Sequence, residues 1–233
     1  LVRSRGLGDV YKRQGEEIFS KYGIKCVPER MSVKTVNVYE IVKKATEKFN
    51  IPMPKIVISN VMMPNAAATG PSPAHGTVMI TTGLLVQLEE DEILSVVGHE
   101  LAHLKGRDPV ILFSLTTAEY LLRIFVFLPL FLLFPLVYLV LAMSTIYFIA
   151  KFFEARADLL SAIKLGQPQV LAEALRKIGF RRLQFERSPS YRVQSWIGLD
   201  PHPPIYFRIN RLEKLKMPSK IKYPLIQSVK DVI

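Results

Sequence analysis

One cysteine and four histidines are the only thiol and imidazole groups in this chain of 233 residues. A lone Cys26 excludes an internal disulfide and a cysteine-rich zinc site, and leaves a reducing compartment allowed. Acids are scarce where bases are dense. Residues 176–222 hold twelve Lys and Arg against three acids (Glu186, Asp200 and Glu213), so +9 of the net charge of +11 sits there. No nucleic-acid motif accompanies that charge, so no nucleic acid is expected. Charge is missing altogether from Ile124 to Ala150, and between Val110 and Ala150 only Glu119 and Arg123 carry any. A membrane span needs roughly 20 apolar residues, and soluble helices rarely stay apolar all round for so long, so this stretch is expected to lie in a bilayer. The basic region beside it is then expected to meet anionic lipid headgroups.

The first residues also lack something, namely any apolar period. "SRGLGDVYKRQ", Ser4 to Gln14, resembles one reading frame of a transposon-based sequencing adapter. Residues 1–14 are therefore expected to be a non-native leader, set aside from fold reasoning, with the native N-terminus replaced by it.

What is present divides readily. Val38, Ile41, Val42, Ala45 and Phe49 follow helical spacing within Val33–Phe49, and "NIPMP" breaks that helix. "KIVIS" (Lys55–Ser59) reads as a buried strand, "NAAATG" (Asn65–Gly70) as a short one, and "TVMITTGLL" (Thr77–Leu85) as a third running into a loop. The turn "PSPAHG" would make the last two a hairpin at a sheet edge. "EEDEILSVVGHELAHLKG" opens on acids and closes on Gly106, with Pro109 beyond, which predicts a helix of about four turns. After the apolar stretch the pattern predicts a polar helix at Lys151–Leu165, another at Val170–Ile178, a basic loop, and a helix at Pro204–Lys216.

The chemistry concentrates in "HELAH". Residues i and i+4 share one helical face, so His99 and His103 can reach one metal ion. Glu100 lies about 100° further round, placed to touch a water on that ion without ligating it. Zinc would acidify such a water and the carboxylate would take its proton as it attacks a carbonyl. The bland alternative, two surface histidines on an ordinary helix, explains neither the apolar approach "ILSVV" nor the small Ala102. A catalytic zinc takes three protein ligands and one open position. Spacing leaves the third open among His75, His202 and Glu154. Glu154 and Asp158 in "FFEARADLLSA" are again i and i+4, and read equally as ligand with its hydrogen-bonding neighbour or as a solvated face beside Arg156.

"HELAH" followed by "EARAD" across a hydrophobic insert resembles the gluzincin peptidase family of HtpX-like membrane proteases and CAAX prenyl endopeptidases. "NAAATG", "TTGLL" and "HPPIYFR" are similar to its other landmarks, in the same order, over about Phe49–Leu215. The resemblance implies an α+β, mainly helical fold: a zincin-like catalytic domain with a small edge-strand sheet, interrupted by a transmembrane helical hairpin. It implies one Zn2+ on His99, His103 and Glu154, Glu100 as general base, and Asp158 hydrogen-bonded behind a ligand histidine. It also implies that His202 and Arg208 support the oxyanion, and that Asn65 hydrogen-bonds substrate backbone. The segment "NAAATG" departs by carrying alanine where relatives often have an aromatic. The chain departs also in lacking the N-terminal membrane helices expected of HtpX-like proteins, which agrees with an expected truncation after a foreign leader.

If His103 and Glu154 hold one ion, the chain between them must cross a membrane an even number of times. A hairpin of roughly Val110–Leu128 and Leu130–Ala150, or a re-entrant loop, satisfies this, turning near Pro129–Pro135. Glu119 and Arg123 would pair at i,i+4 within it, or face the cleft near the metal. Lys105, Arg107, Lys151 and Arg156 at its base put the site on the cytoplasmic side of a multi-pass plasma-membrane protein. The domains expected are thus 15–109 and 151–233, two parts of one catalytic domain, around a hairpin at 110–150. The expected function is zinc-dependent endopeptidase action on polypeptide, chiefly misfolded membrane proteins. The alternatives are a CAAX prenyl endopeptidase and a silent membrane scaffold with structural zinc.

Overall fold

The computed structural model describes residues 35–186, 188–191, 196, 200–217 and 221–232. The expected leader at 1–14 lies outside them, as does the start of the first predicted helix. From Val36 onward the chain forms one compact unit.

Helix α1 (Val38–Phe49) begins where the Asn37 side chain accepts from the Glu40 N–H at 3.2 Å. It ends at Asn50, whose left-handed φ of 51° suits asparagine. Its apolar face (Val38, Ile41, Val42, Ala45, Phe49) is buried against α3 (Glu90–Gly106). Three strands, β1 (Lys55–Ser59), β2 (Ala66–Thr69) and β3 (Thr77–Thr81), form a sheet in the order β1-β3-β2. β3 pairs parallel with β1 and antiparallel with β2, so β2 is an edge strand as expected. The third strand is shorter than its apolar run suggests. At Thr81 the side chain accepts from the Leu84 N–H at 3.3 Å, which starts a short helix, α2 (Thr82–Gln87), where a loop was expected.

α3 is the central element. Acids fill its first turn, favourable at the positive end of the helix dipole, and Glu89 with Glu92 forms a capping box. Ile93, Leu94, Val97, Leu101 and Ala102 are buried against the elements around it. A Cβ on Gly98 would lie 2.8 Å from Ser161 Oγ and 2.7 Å from Leu165 Cδ1, so α3 packs there as closely as only glycine permits. Lys105, expected only as a charge marking one side of a membrane, also donates to the Phe49 carbonyl at 2.5 Å and closes the end of α1.

α3 ends at Arg107, whose φ of 56° and ψ of 33° are left-handed. A non-glycine residue held there costs about 1–2 kcal/mol, and its side chain is exposed. Arg107→Gly is therefore expected to stabilise the protein by about 0.5–1 kcal/mol after glycine's larger unfolded-state entropy is subtracted. A higher thermal midpoint in detergent checks this, and a lower one refutes it.

Beyond Arg107 come α4 (Asp108–Phe125), a short α5 (Leu128–Leu133) and α6 (Pro135–Leu165). α4 leaves α3, α5 makes the turn between the prolines, and α6 returns to pack on α3. Two boundaries differ from expectation. The second arm starts at Pro135 rather than Leu130, because Pro129 opens α5 and Pro135 opens α6. The predicted polar helix from Lys151 is no separate element. α6 runs 31 residues, about 46 Å, straight through the return of charge at Lys151. Its first half is exposed and apolar, and its second half packs into the core. Among the described residues it is the one helix long and apolar enough to cross a membrane. Glu119 and Arg123 approach to 3.7 Å, with the guanidinium 5.4 Å from the Phe131 ring of α5. Neither lines the cavity beside the histidines, which speaks against the expectation that they face it.

Helices α7 (Pro168–Ile178), α8 (Phe180–Phe185), α9 (Ile205–Lys214) and α10 (Pro224–Val232) complete the described fold. The predicted basic loop contains α8. Lys177 reaches Glu92 at 2.7 Å and so pins α7 to the start of α3.

Candidate metal centre

One turn of α3 presents His99 and His103 side by side, and the second half of α6 brings Glu154 to them. His103 Nε2 lies 3.1 Å from His99 Nε2 and 3.2 Å from Glu154 Oε1. His99 Nε2 lies 3.4 Å from Glu154 Oε2. Zinc–nitrogen bonds of about 2.0–2.1 Å in a tetrahedron put ligand atoms roughly 3.3 Å apart, so these separations fit that ion. Glu154 Oε2 is buried and makes no hydrogen bond, an acceptor that a cation would satisfy. These three are the residues among those described that could together hold a metal.

The rings are aimed from behind. His99 Nδ1 lies 2.9 Å from Asp158 Oδ1. His103 Nδ1 meets Asp108 Oδ2 at 2.8 Å. A proton on each Nδ1 leaves Nε2 free to bind a metal. Burial alone would push the His103 imidazole down. The Glu154 charge and the bonds to Asp108 and Glu154 instead carry it up to about 10. His99 is raised too, its burial outweighed by Asp158 and Glu154. Metal uptake at neutral pH must therefore displace protons from this cluster.

Asp158 is held in turn by Arg208, whose Nε and Nη2 donate to it at 2.8 and 2.7 Å. Arg208 Nη1 stands 3.5 Å from Glu154 Oε2. Burial alone would push the Arg208 guanidinium down, but the Asp158 charge and hydrogen bonds hold it above the usual arginine range. Arg208 was expected beside the oxyanion. Its Nε and Nη2 are engaged by Asp158, and the residue also borders the cavity beside the histidines. His202 has Nδ1 on Asp200 Oδ1 at 3.0 Å and Nε2 3.8 Å from Glu154 Oε1, with its side chain about half exposed. Burial would raise the Asp200 carboxyl, yet the His202 side chain and backbone N–H, with Arg182, hold it down at about 2.

His99, Glu100, His103, Glu154, His202, Arg208 and Asn65 all border one cavity of about 480 Å³. Ala66, Ala67 and Ala68 of the edge strand form part of the same wall. Asn65 exchanges both backbone groups with Thr81, whose N–H donates to its carbonyl at 3.0 Å and whose Oγ1 accepts from its N–H at 2.9 Å. Only its side chain is left for a substrate. By the alternation of an antiparallel ladder, the outward backbone groups belong to Ala66 and Ala68. His75, weighed as a ligand, is bonded to Ser72 in its turn at 3.1 Å and is absent from the cavity wall.

Residues 32–216 match the profile described as Peptidase family M48. The chain belongs to peptidase family M48. Within M48 it is HtpX-like. It is 32% identical over 234 residues to a "Protease HtpX homolog" of Thermodesulfovibrio yellowstonii, covering 85% of this chain and 80% of that relative. It is 31% identical over 211 residues to one of Desulforapulum autotrophicum, covering 75% and 67%. The crystal structure of S. mikatae Ste24p superposes with a TM-score of 0.52 at 18% identity. That likeness covers 87% of this chain and 55% of the other, and it establishes a shared fold. M48 membership makes the chain a metallopeptidase.

The sequence reading missed Asp108 and the working partner of Arg156. Asp108 is buried, and Arg156 Nη2 donates to its two oxygens at 2.6 and 2.5 Å.

Proposed function

We propose that the chain is a membrane-integral zinc endopeptidase that cleaves polypeptides, chiefly misfolded membrane proteins, at the cytoplasmic face. The observation that carries this reading is the convergence of His99, His103 and Glu154, with Glu100 on the wall of the same cavity. Zinc when bound there supplies a Lewis acid and an acidified water. Glu100 accepts the proton of the attacking water and delivers it to the leaving amide nitrogen. A substrate segment lies along β2, with Ala66 and Ala68 offering backbone groups and Asn65 its side chain. His202 donates from Nε2 to the oxygen that gains charge in the tetrahedral intermediate. Arg208 keeps Asp158 and Glu154 in register, and through them His99.

The membrane placement is supported by the exposed apolar half of α6 and by the exposed Phe113, Phe125, Leu132, Leu133 and Leu136 along the excursion. In this reading the hairpin spans 110–150, and 15–109 and 151–233 form the catalytic domain around it. The bases at its root favour the cytoplasmic side, and the basic region 176–222 favours anionic headgroups. Purified protein in lipid nanodiscs is expected to cleave an unfolded membrane protein, to stop when a zinc chelator is added, and to recover with added Zn2+. Cleavage that persists at undetectable metal refutes the reading.

A further inference from the structure

We propose that Asp108 and Arg156 are a positioning couple for His103, and that they tie the metal-binding face to the roots of both arms of the hairpin. The inference rests on the zinc reading above and concerns residues that reading leaves idle.

Asp108 is the first residue of α4, His103 belongs to α3, and Arg156 stands on α6 two residues past Glu154. One buried carboxylate therefore joins three helices: Oδ2 takes the Nδ1 proton of His103 at 2.8 Å, and both oxygens take Arg156 Nη2. The arrangement repeats what lies behind His99, where Asp158 is gripped by Arg208. Each histidine thus has its own carboxylate, and each carboxylate its own guanidinium. A structural ion pair placed at random would not reproduce that pattern at the second ligand.

Two backbone features exist to allow it. In an unbroken helix, residue 108 would stand about 140° round from residue 103 and could not face its ring. The left-handed Arg107 reverses the chain so that Asp108 comes back under His103. Gly106 carries no left-handed φ of its own, yet a Cβ on it would lie 1.9 Å from Arg156 Nη2. A side chain there would push the guanidinium away from its place against Asp108. Burying an ion pair costs desolvation of both partners, and removing one strands the other, so the couple holds a single geometry. Because its halves sit at the start of α4 and on α6, splaying the arms would pull Asp108 from Arg156 and free the His103 ring.

The test uses the full chain in nanodiscs. It reads Zn2+ affinity by competition with a chromophoric chelator, the d–d spectrum of the Co2+-loaded protein, and the thermal midpoint of the metal-free form. Asp108→Ala is expected to weaken zinc binding about 10–100-fold and to alter the Co2+ spectrum, as loss of a carboxylate behind a ligand histidine does elsewhere. Arg156→Lys keeps the charge but not the fork and should fall between. Gly106→Ala touches no ligand and should weaken zinc in the same direction by displacing Arg156. Arg176→Ala removes an equal charge from exposed pairs with Glu173 and Glu213 and should leave zinc affinity and the Co2+ spectrum unchanged. An Asp108→Ala protein with a lowered metal-free midpoint but unaltered zinc affinity and Co2+ spectrum would make the couple structural and overturn the proposal. Should that variant not fold, unaltered zinc affinity in both Arg156→Lys and Gly106→Ala overturns it equally. Failure of the wild-type protein to take up zinc would refute the zinc reading, and the couple with it.

Discussion

Glu100→Gln is expected to leave one zinc per chain and to lower cleavage by roughly 10²–10⁴-fold, the range that a positioned general base contributes. The split between the two readouts follows from geometry. Glu100 sits next to His99 on α3 but points about 100° away from the ligand face, so its carboxylate is not among the atoms that converge on the metal. The isosteric amide keeps the cavity's shape and hydrogen-bonding volume but cannot accept a proton at neutral pH. Metal analysis and cleavage of an unfolded membrane-protein substrate, measured on the same preparation, separate the outcomes. Loss of zinc together with activity would place Glu100 among the ligands. Undiminished cleavage would assign the base elsewhere, with His202 the next group on that wall.

The legibility of this site in the sequence follows its helical periodicity. His99, Glu100 and His103 are readable because i, i+1 and i+4 on one regular helix fix their relative directions. Glu154 and Asp158 are readable as a pair for the same reason. That they face the histidines becomes a geometric statement only through the return of α6, which the even-crossing argument anticipates without fixing its path. Asp108 is illegible. It touches His103 across an i+5 spacing that no regular helix brings together, by a reversal at Arg107 that its side-chain type does not signal. Gly106 reads as a helix stop, whereas its missing side chain makes room for Arg156. The helix start predicted at Lys151 differs for a related reason: a change from apolar to polar marks a change of solvent, and a helix can pass through one unbroken. The run Thr81-Thr82-Gly83-Leu84-Leu85 reads as strand because β-branched and apolar residues dominate it. The Thr81 hydroxyl, capping Leu84, is the local signal that turns it into helix.

Glu154→Ala is the substitution expected to affect the metal most. Losing a carboxylate behind a ligand already costs about 10–100-fold in affinity, and losing the ligand itself should exceed that range. A second effect acts in the same direction. Glu154 lies beside His99, His103 and Arg208, so its removal leaves that group of basic side chains with one fewer counter-charge, and a dication would enter against them. Glu154→Gln separates the two contributions less cleanly than Glu154→Asp, which keeps the charge and withdraws the oxygens by one methylene. Zinc affinity should therefore order as wild type, then Asp, then Gln, then Ala. Unchanged metal content in Glu154→Ala would point to His202 as third ligand, since its Nε2 stands 3.8 Å from the vacated oxygen, while His75 remains held in its turn by Ser72. The double variant Glu154→Ala, His202→Ala decides that case: if His202 substitutes, zinc is lost only when both are gone, and if Glu154 is the ligand, the second substitution adds little.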